Sequence, residues 1–175
     1  FLKREDMQPI FSFKIRGAYN KIVNLTTQQK QRGVIAASAG NHAQGVANAC
    51  KKLKIPCFIV MPVTAPEIKV KSVKRFGSKV LLHGDSFDQA VKKAKQMAKE
   101  QKLEFIEAFD DPLTIAGQGT IGKEILDEHN NLDAIFVPVG GGGLLAGISA
   151  WVAQTKKDTK IYGVEVDDSA CLVEA

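Results

Sequence analysis

Several things are missing from this chain, and each absence excludes something. No apolar run is long enough to cross a membrane, so a helical membrane protein is not expected. Cys50, Cys57 and Cys171 share no metal-ligand spacing, so no zinc or iron–sulfur framework is indicated. Their odd number and apolar neighbours point instead to reduced, packed thiols in a cytosol-like compartment. No signal peptide opens the chain, which starts at Phe1-Leu2-Lys3-Arg4 without an initiator Met. Phe1-Leu2 reads as the inside of a strand, and Cys171 to Ala175 ends on an apolar run, so a fragment is expected. The formal net charge is +5, yet no aromatics are interleaved with the lysine runs at 51–54, 69–75, 92–102 and 156–157. These runs read as solvated helix faces, and nucleic acid is not an expected partner. A mildly positive chain does suit small anionic ligands.

With 45% hydrophobic and 25% charged residues over 175 positions, the composition is that of a globular protein of one domain or two small lobes. Short apolar strands recur at near-constant spacing: Val34 to Ala37, Cys57 to Met61, Val80 to Leu82 and Glu104 to Ile106. Helical patterns fill the gaps. One covers about His42 to Leu53. A second starts at a capping box, Thr64-Ala65-Pro66-Glu67, and a third at Ser86-Phe87-Asp88-Gln89. Beyond Glu107 the rhythm breaks. Phe109 to Pro112 reads as a turn, Gly119 to Glu128 as a helix, and Ala134 to Val139 as the most apolar strand. Four glycines follow, then a helix to about Thr155 and a strand at Lys160 to Glu165. Strand–helix alternation with strands this apolar predicts an α/β fold with parallel sheets covered on both faces. Two lobes are expected: a smaller one at 31–109, and part of a larger one from 1–30 and 110–175. In a fragment, apolar side chains such as Ile135, Val137 and Leu145 are expected to be undercovered.

Three stretches carry chemistry. Phe13-Lys14-Ile15 places a lysine among apolar neighbours at a helix start, with Ser12 as the expected N-cap. The positive helix end and apolar surroundings both disfavour an ammonium, and a lysine so treated attacks carbonyls to give a Schiff base. Ser38-Ala39-Gly40-Asn41-His42-Ala43-Gln44-Gly45 follows a strand and opens a helix, where small residues expose N–H groups suited to a carboxylate. Asn41 can donate and accept, which suits a ligand hydroxyl or phenolate. His42 has no acidic partner or nucleophile at a telling distance and reads as a hydrogen-bonding group behind the site. Gly140 to Gly143 joins a strand to a helix and makes an anion cradle suited to phosphate. The same loop fits a dinucleotide fingerprint, Gly141-x-Gly143-x-x-Ala146 with Glu165 ending the next strand, so glycine spacing alone leaves both cofactors open. Gly117 to Glu124 nearly spells a P-loop but has Glu124 where magnesium needs a hydroxyl. A lysine, a carboxylate cradle and a phosphate cradle together suit an amino acid bound to a phosphorylated aldehyde cofactor. A nicotinamide would leave the lysine idle.

Lys3 to Asp6, Ser12 to Ala18, Ser38 to Gly45, Ala116 to Thr120, Gly140 to Leu144 and Asp168 to Leu172 resemble the threonine dehydratase (threonine ammonia-lyase) family of fold type II pyridoxal-phosphate enzymes. The likeness is greater to its biosynthetic, isoleucine-pathway branch than to the catabolic one. The resemblance implies pyridoxal phosphate as cofactor and Lys14 as the Schiff-base lysine. It places Phe13 beside the cofactor ring, Asn41 on the ring oxygen, Gly140, Gly141, Gly142, Gly143 and Leu144 around the phosphate, and Ser38, Ala39, Gly40, Asn41 and His42 on the substrate carboxylate. The family's partner for the pyridine nitrogen would lie beyond Ala175, so the fragment alone is expected to be inactive. No metal is implied. The expected partners are an amino-acid substrate and further copies of the full-length chain, with cytoplasmic placement, or plastid or mitochondrial matrix in a eukaryote. Serine racemases, which the chain also resembles, carry serine in the substrate loop at the position of Ala39.

Overall fold

The computed structural model describes residues 1–170 and Leu172. Cys171, one of the three expected packed thiols, lies outside the described residues, as does the end of the Asp168 to Leu172 motif around it. The chain divides into two units: Arg4–Glu107, and Phe1–Lys3 with Ala108–Ala175.

In the first unit, β-branched and apolar runs form β1 (Val34–Ala37), β2 (Cys57–Met61), β3 (Lys79–Leu82) and β4 (Glu104–Phe105). Between and before them lie α1 (Lys14–Val23), α2 (Thr27–Arg32), α3 (Asn41–Leu53), α4 (Glu67–Lys74) and α5 (Phe87–Gln101). The sheet is parallel in the order β3-β2-β1-β4, with Val34 opposite both Cys57 and Glu104 and Phe58 opposite Lys79. Side chains alternate across it as the period of two requires. Val34, Ala36, Cys57, Ile59 and Met61 pack with α1, α3 and α4 on one face. Ile35, Ala37 and Val60 pack with Ala90 and Ala94 of α5 on the other. The order of strands reverses between β1 and β4. The loop from β1 into α3 leaves at that reversal, where open α/β sheets form ligand crevices. Residues 4–30 make their contacts within this unit.

The second unit holds α6 (Pro112–Glu128), β5 (Ala134–Pro138), α7 (Gly143–Thr155) and β6 (Lys160–Val164). β5 and β6 pair in parallel, from Ala134 opposite Lys160 to Pro138 opposite Val164. α6 and α7 cross closely, since a Cβ on Gly119 would stand 2.7 Å from the Gly147 carbonyl oxygen.

Several sequence expectations need correction. Phe1-Leu2 lies in no strand; the Phe1 ring stacks on His129 with centroids 4.1 Å apart. The Thr64 capping box does not form. Pro66 occupies the N-cap of α4, and Thr64 Oγ1 donates to the Asp85 carbonyl at 3.4 Å instead. At α5, Ser86 Oγ accepts from the Gln89 N–H, but Gln89 Oε1 reaches one residue further back, to the Asp85 N–H. The complete capping box is one the sequence reading passed over, Thr26 with Gln29 at the start of α2. α6 begins at Pro112 rather than Gly119, because Asp111 Oδ1 caps the N–H groups of Leu113 and Thr114 at 2.9 and 3.0 Å. The near P-loop is therefore helix interior, and its glycines serve helix packing. Ile135 and Val137 are buried and Leu145 is half-buried. The bare side of that sheet carries Phe136 (68% exposed), Tyr162 (44%) and Val164 (49%).

Candidate active site

Lys14 is the first residue of α1. Phe13, not Ser12, holds the N-cap position, and Ser12 Oγ accepts the Lys14 N–H at 3.3 Å. The turn before it contains Phe11 in the left-handed region, at φ 57°. A bidentate ion pair braces the same helix: Arg16 Nε and Nη2 each meet Glu5 at 2.8 Å, with both side chains largely buried. Glu5 lies in the Lys3 to Asp6 stretch, where the sequence alone gives it no such role. Nothing in the local pattern pairs it with a residue eleven positions on.

Burial lowers the pKa of Lys14 from the usual lysine value, as the apolar flanks predict. Its ammonium lies 5.4 Å from the centre of the Phe13 ring.

The loop Ser38 to Gly40 and the first turn of α3 lie in the same unit. Ser38 Oγ accepts the Gly40 N–H at 3.1 Å, which fixes the loop. The first N–H groups of a helix have no partner within it, so the start of α3 at Asn41 and His42 offers donors to an anion. Asn41 is exposed, while Ser38, Ala39 and Gly40 are half-buried. His42 is buried, and its Nε2 lies 3.0 Å from the Ile106 carbonyl oxygen just past β4. A carbonyl can only accept, so Nε2 carries the proton and Nδ1 is a bare lone pair. Nδ1 has no hydrogen-bond partner among the described residues. Burial chiefly, and the charge of Lys14 in addition, lower the His42 pKa to about 4, against the opposing pull of the Ile106 carbonyl. The imidazole is therefore neutral near pH 7 and offers no positive charge to an anion. Gly45 lies inside α3, as the helical pattern from His42 onward predicts.

In the second unit, Gly140 to Gly143 carries the chain from β5 into α7, and Gly142 caps α7 at φ +80°. These glycines differ in what they permit. A Cβ on Gly140 would meet nothing within 4 Å. One on Gly141 would stand 2.4 Å from the Phe109 ring, and one on Gly143 2.7 Å from the Phe109 carbonyl oxygen. A cavity of about 580 Å³ borders the loop, lined also by Ile115, Leu145 and Ser149. Glu165, which a dinucleotide would need for its ribose, has its carboxylate oxygens 3.1 and 3.2 Å from the Leu172 N–H. Among the described residues no cluster of His, Cys, Asp or Glu could hold a metal ion. No helix among them is long and apolar enough to cross a membrane.

A lysine whose charge is disfavoured by burial suits a carbonyl compound, and the uncapped starts of α3 and α7 suit an anion. The chain matches the family described as pyridoxal-phosphate dependent enzyme over residues 1–175, and it belongs to that family. It is 54% identical over its whole length to L-threonine dehydratase biosynthetic IlvA of Pasteurella multocida, of which it covers 34%. The processed form of threonine deaminase isoform 2 from Solanum lycopersicum superposes on 93% of the chain with a TM-score of 0.92 at 50% identity, 45% of that structure being covered. Maize serine racemase superposes on 93% with a TM-score of 0.90 at 36% identity, 50% of it being covered. The chain thus spans about a third of the length of the curated relatives it matches.

The residues present fit the family's cofactor. Lys14 is an amine with a disfavoured charge, a Cβ on Gly140 would meet open space, and no side chain caps the start of α7.

Proposed function

We propose that the full-length protein is an L-threonine dehydratase, converting L-threonine to 2-oxobutanoate and ammonia with pyridoxal phosphate, as the first step of isoleucine synthesis. One observation carries the reading: Lys14, half-buried at the first position of α1, with its charged form disfavoured by burial. The identity to a biosynthetic threonine dehydratase over the whole chain supports it.

Pyridoxal phosphate supplies an aldehyde for the amine and an electron sink for the Cα–H bond. Lys14 is the amine that holds the cofactor and, once freed, the base that takes the Cα proton. Phe13 would flank the cofactor ring, and Asn41 would hydrogen-bond its ring oxygen. Main-chain N–H groups at Gly140, Gly141, Gly142, Gly143 and Leu144 hold the phosphate. Ser38, Ala39, Gly40, Asn41 and His42 hold the substrate carboxylate, His42 through its main chain. Ala39 presents only a methyl group, which carries no proton. Reprotonation from the face opposite Lys14 has no donor there, and loss of the β-hydroxyl is the open exit.

In the whole protein, residues 1–30 and 110–175 belong to the larger lobe and 31–109 to the smaller, although within this chain residues 4–30 group with 31–107; the enzyme works as a homo-oligomer in the cytoplasm, or in a plastid or mitochondrial matrix. Sedimentation of the full-length protein tests the oligomer. Chiral chromatography of its products tests the reaction. L-threonine, and more slowly L-serine, should yield 2-oxo acids with almost no D-amino acid. D-serine accumulating as fast as pyruvate would move the chain to the racemases.

A further inference from the structure

The lysine's place is set by a helix other than its own. α1 begins at Lys14, so no earlier turn of α1 holds that residue. Its carbonyl instead backs onto α3. A Cβ built on Gly45 would stand 2.9 Å from the Lys14 carbonyl oxygen, 3.1 Å from its carbonyl carbon and 3.3 Å from Ala18 Cβ. The first two are main-chain atoms, which no side-chain rotation can clear. Gly45 is not a glycine for conformational reasons, because its backbone is helical and its φ is negative. In a helix interior glycine is a poor choice on propensity alone. The close approach of Lys14 is what requires it.

Which helix would yield to an added methyl group follows from burial. α3 lies against the sheet, with Ala43, Val46, Ala47 and Ala49 fully buried. Its first turn is also tied to the end of β4 through His42 and the Ile106 carbonyl. α1 is the outer helix: only Gly17, Ala18 and Ile22 are buried, and Tyr19 is exposed. Strain at the crossing is therefore relieved by movement of α1, and the crossing point is Lys14 itself. A displacement there carries the ε-amino group away from the Ser38 to His42 loop, which stays with α3 and the sheet.

We propose that Gly45 is a positioning residue for Lys14: its missing side chain lets α1 seat against α3 at the one depth that brings the lysine amine to the carbonyl carbon of the cofactor. The proposal rests on the reading of Lys14 as the cofactor lysine, and it adds a residue that touches neither cofactor nor substrate. Misplacement by about 1 Å is enough to slow a positioned reaction by orders of magnitude. It also opens Lys14 to water, which returns its pKa toward the ordinary lysine value.

The test uses the full-length protein freed of cofactor, as wild type, Gly45→Ala and Ala18→Gly. Pyridoxal phosphate is added, borohydride traps the covalent product at intervals, and peptide mapping reports the fraction at Lys14 from neutral to alkaline pH. Binding of pyridoxine 5′-phosphate, which has no aldehyde, is measured in parallel. In Gly45→Ala, attachment at Lys14 should slow about tenfold or more and its pH profile should move to higher pH, while pyridoxine phosphate binds as in wild type. Ala18→Gly loosens the same crossing without pushing on Lys14, so it should lower the melting temperature yet attach at the wild-type rate. A wild-type rate and profile in Gly45→Ala overturns the proposal, as does equal slowing in Ala18→Gly. If Gly45→Ala does not fold, Ala18→Val widens the crossing from the α1 side, and a wild-type rate in that variant overturns the proposal equally. Trapping of wild type at a different lysine is a separate outcome: it refutes the reading of Lys14 itself.

Discussion

The two units are built from the same alternation of strand and helix, yet they finish it differently. In Arg4–Glu107 helices pack on both faces of a four-stranded parallel sheet and every residue of β1 is buried, with exposure confined to the edge, where β3 leaves Lys79, Leu81 and Leu82 open. In the other unit the two-stranded sheet keeps Ile135 and Val137 inside and leaves Phe136, Tyr162 and Val164 open, with the Phe136 and Tyr162 rings stacked 5.1 Å apart. β5 was the most apolar strand by sequence, and it is half exposed. Apolar content therefore says that a parallel strand is meant to be covered, while the number of neighbouring elements decides whether it is. The comparison extends to chemistry. The first unit holds its reactive group by burial and close helix packing. The second offers main-chain donors on a glycine loop.

The largest effect should come from the first unit's lysine. On the proposed reading of Lys14 as both nucleophile and base, Lys14→Ala in the full-length protein should abolish borohydride-trapped cofactor and reduce threonine turnover by about a thousandfold or more. Near-normal turnover would refute Lys14 as the cofactor lysine.

Next comes the contrast between the sheets. Ile59→Ala, on a strand covered from both sides, should destabilise the first unit by about 2–5 kcal/mol in urea unfolding of the 175-residue chain. Phe136→Ala in the same chain should cost less than about 1 kcal/mol and improve solubility, because little packing is lost at an open face. Equal losses would show that the second sheet is covered in solution.

A pH titration of stability gives a comparable but smaller effect in the first unit only. His42 has a folded-state pKa of about 4 against 6.5 in the unfolded chain. The unfolded state binds the extra proton between those values, so stability is full above about pH 6.5 and falls as pH drops toward 4, by up to about 3 kcal/mol. His42→Gln should flatten that window in urea unfolding followed at several pH values, and an unchanged slope would assign it to other groups.

The smallest contrast lies within the glycine loop. Gly141→Ala strikes the Phe109 ring and should lower stability by about 1–3 kcal/mol. Gly140→Ala meets open space and should leave the melting temperature unchanged while weakening cofactor affinity in the full-length protein. The opposite pattern would place the ligand on the Phe109 side of the loop.

Much of this was legible in the residues. The apolar period of the strands located β1 and β2 to the residue and β3, β4 and β5 to within one, since buried parallel strands have few ways to be written. Lys14 between Phe13 and Ile15 announced a disfavoured charge before any packing was known. Helix boundaries set by capping were less legible. Thr64 and Ser86 each look like a capping-box residue, but whether a hydroxyl turns back to its own helix depends on which carbonyl a neighbouring loop brings near. The start of α6 was misread because Phe109 to Pro112 has the composition of a turn, and only the structure shows Asp111 turned onto the N–H groups of Leu113 and Thr114 as a helix cap.

The sequence alone determined the local quantities: strand periodicity, the glycine loop, and a lysine at a helix start among apolar neighbours. Tertiary structure decided which faces are covered, that Gly45 and Lys14 meet, that Phe109 fills the space a side chain at Gly141 would take, and that His42 is neutral. Those outcomes depend on contacts between segments far apart in the chain, and a contact of that kind has no period and no local signature to read.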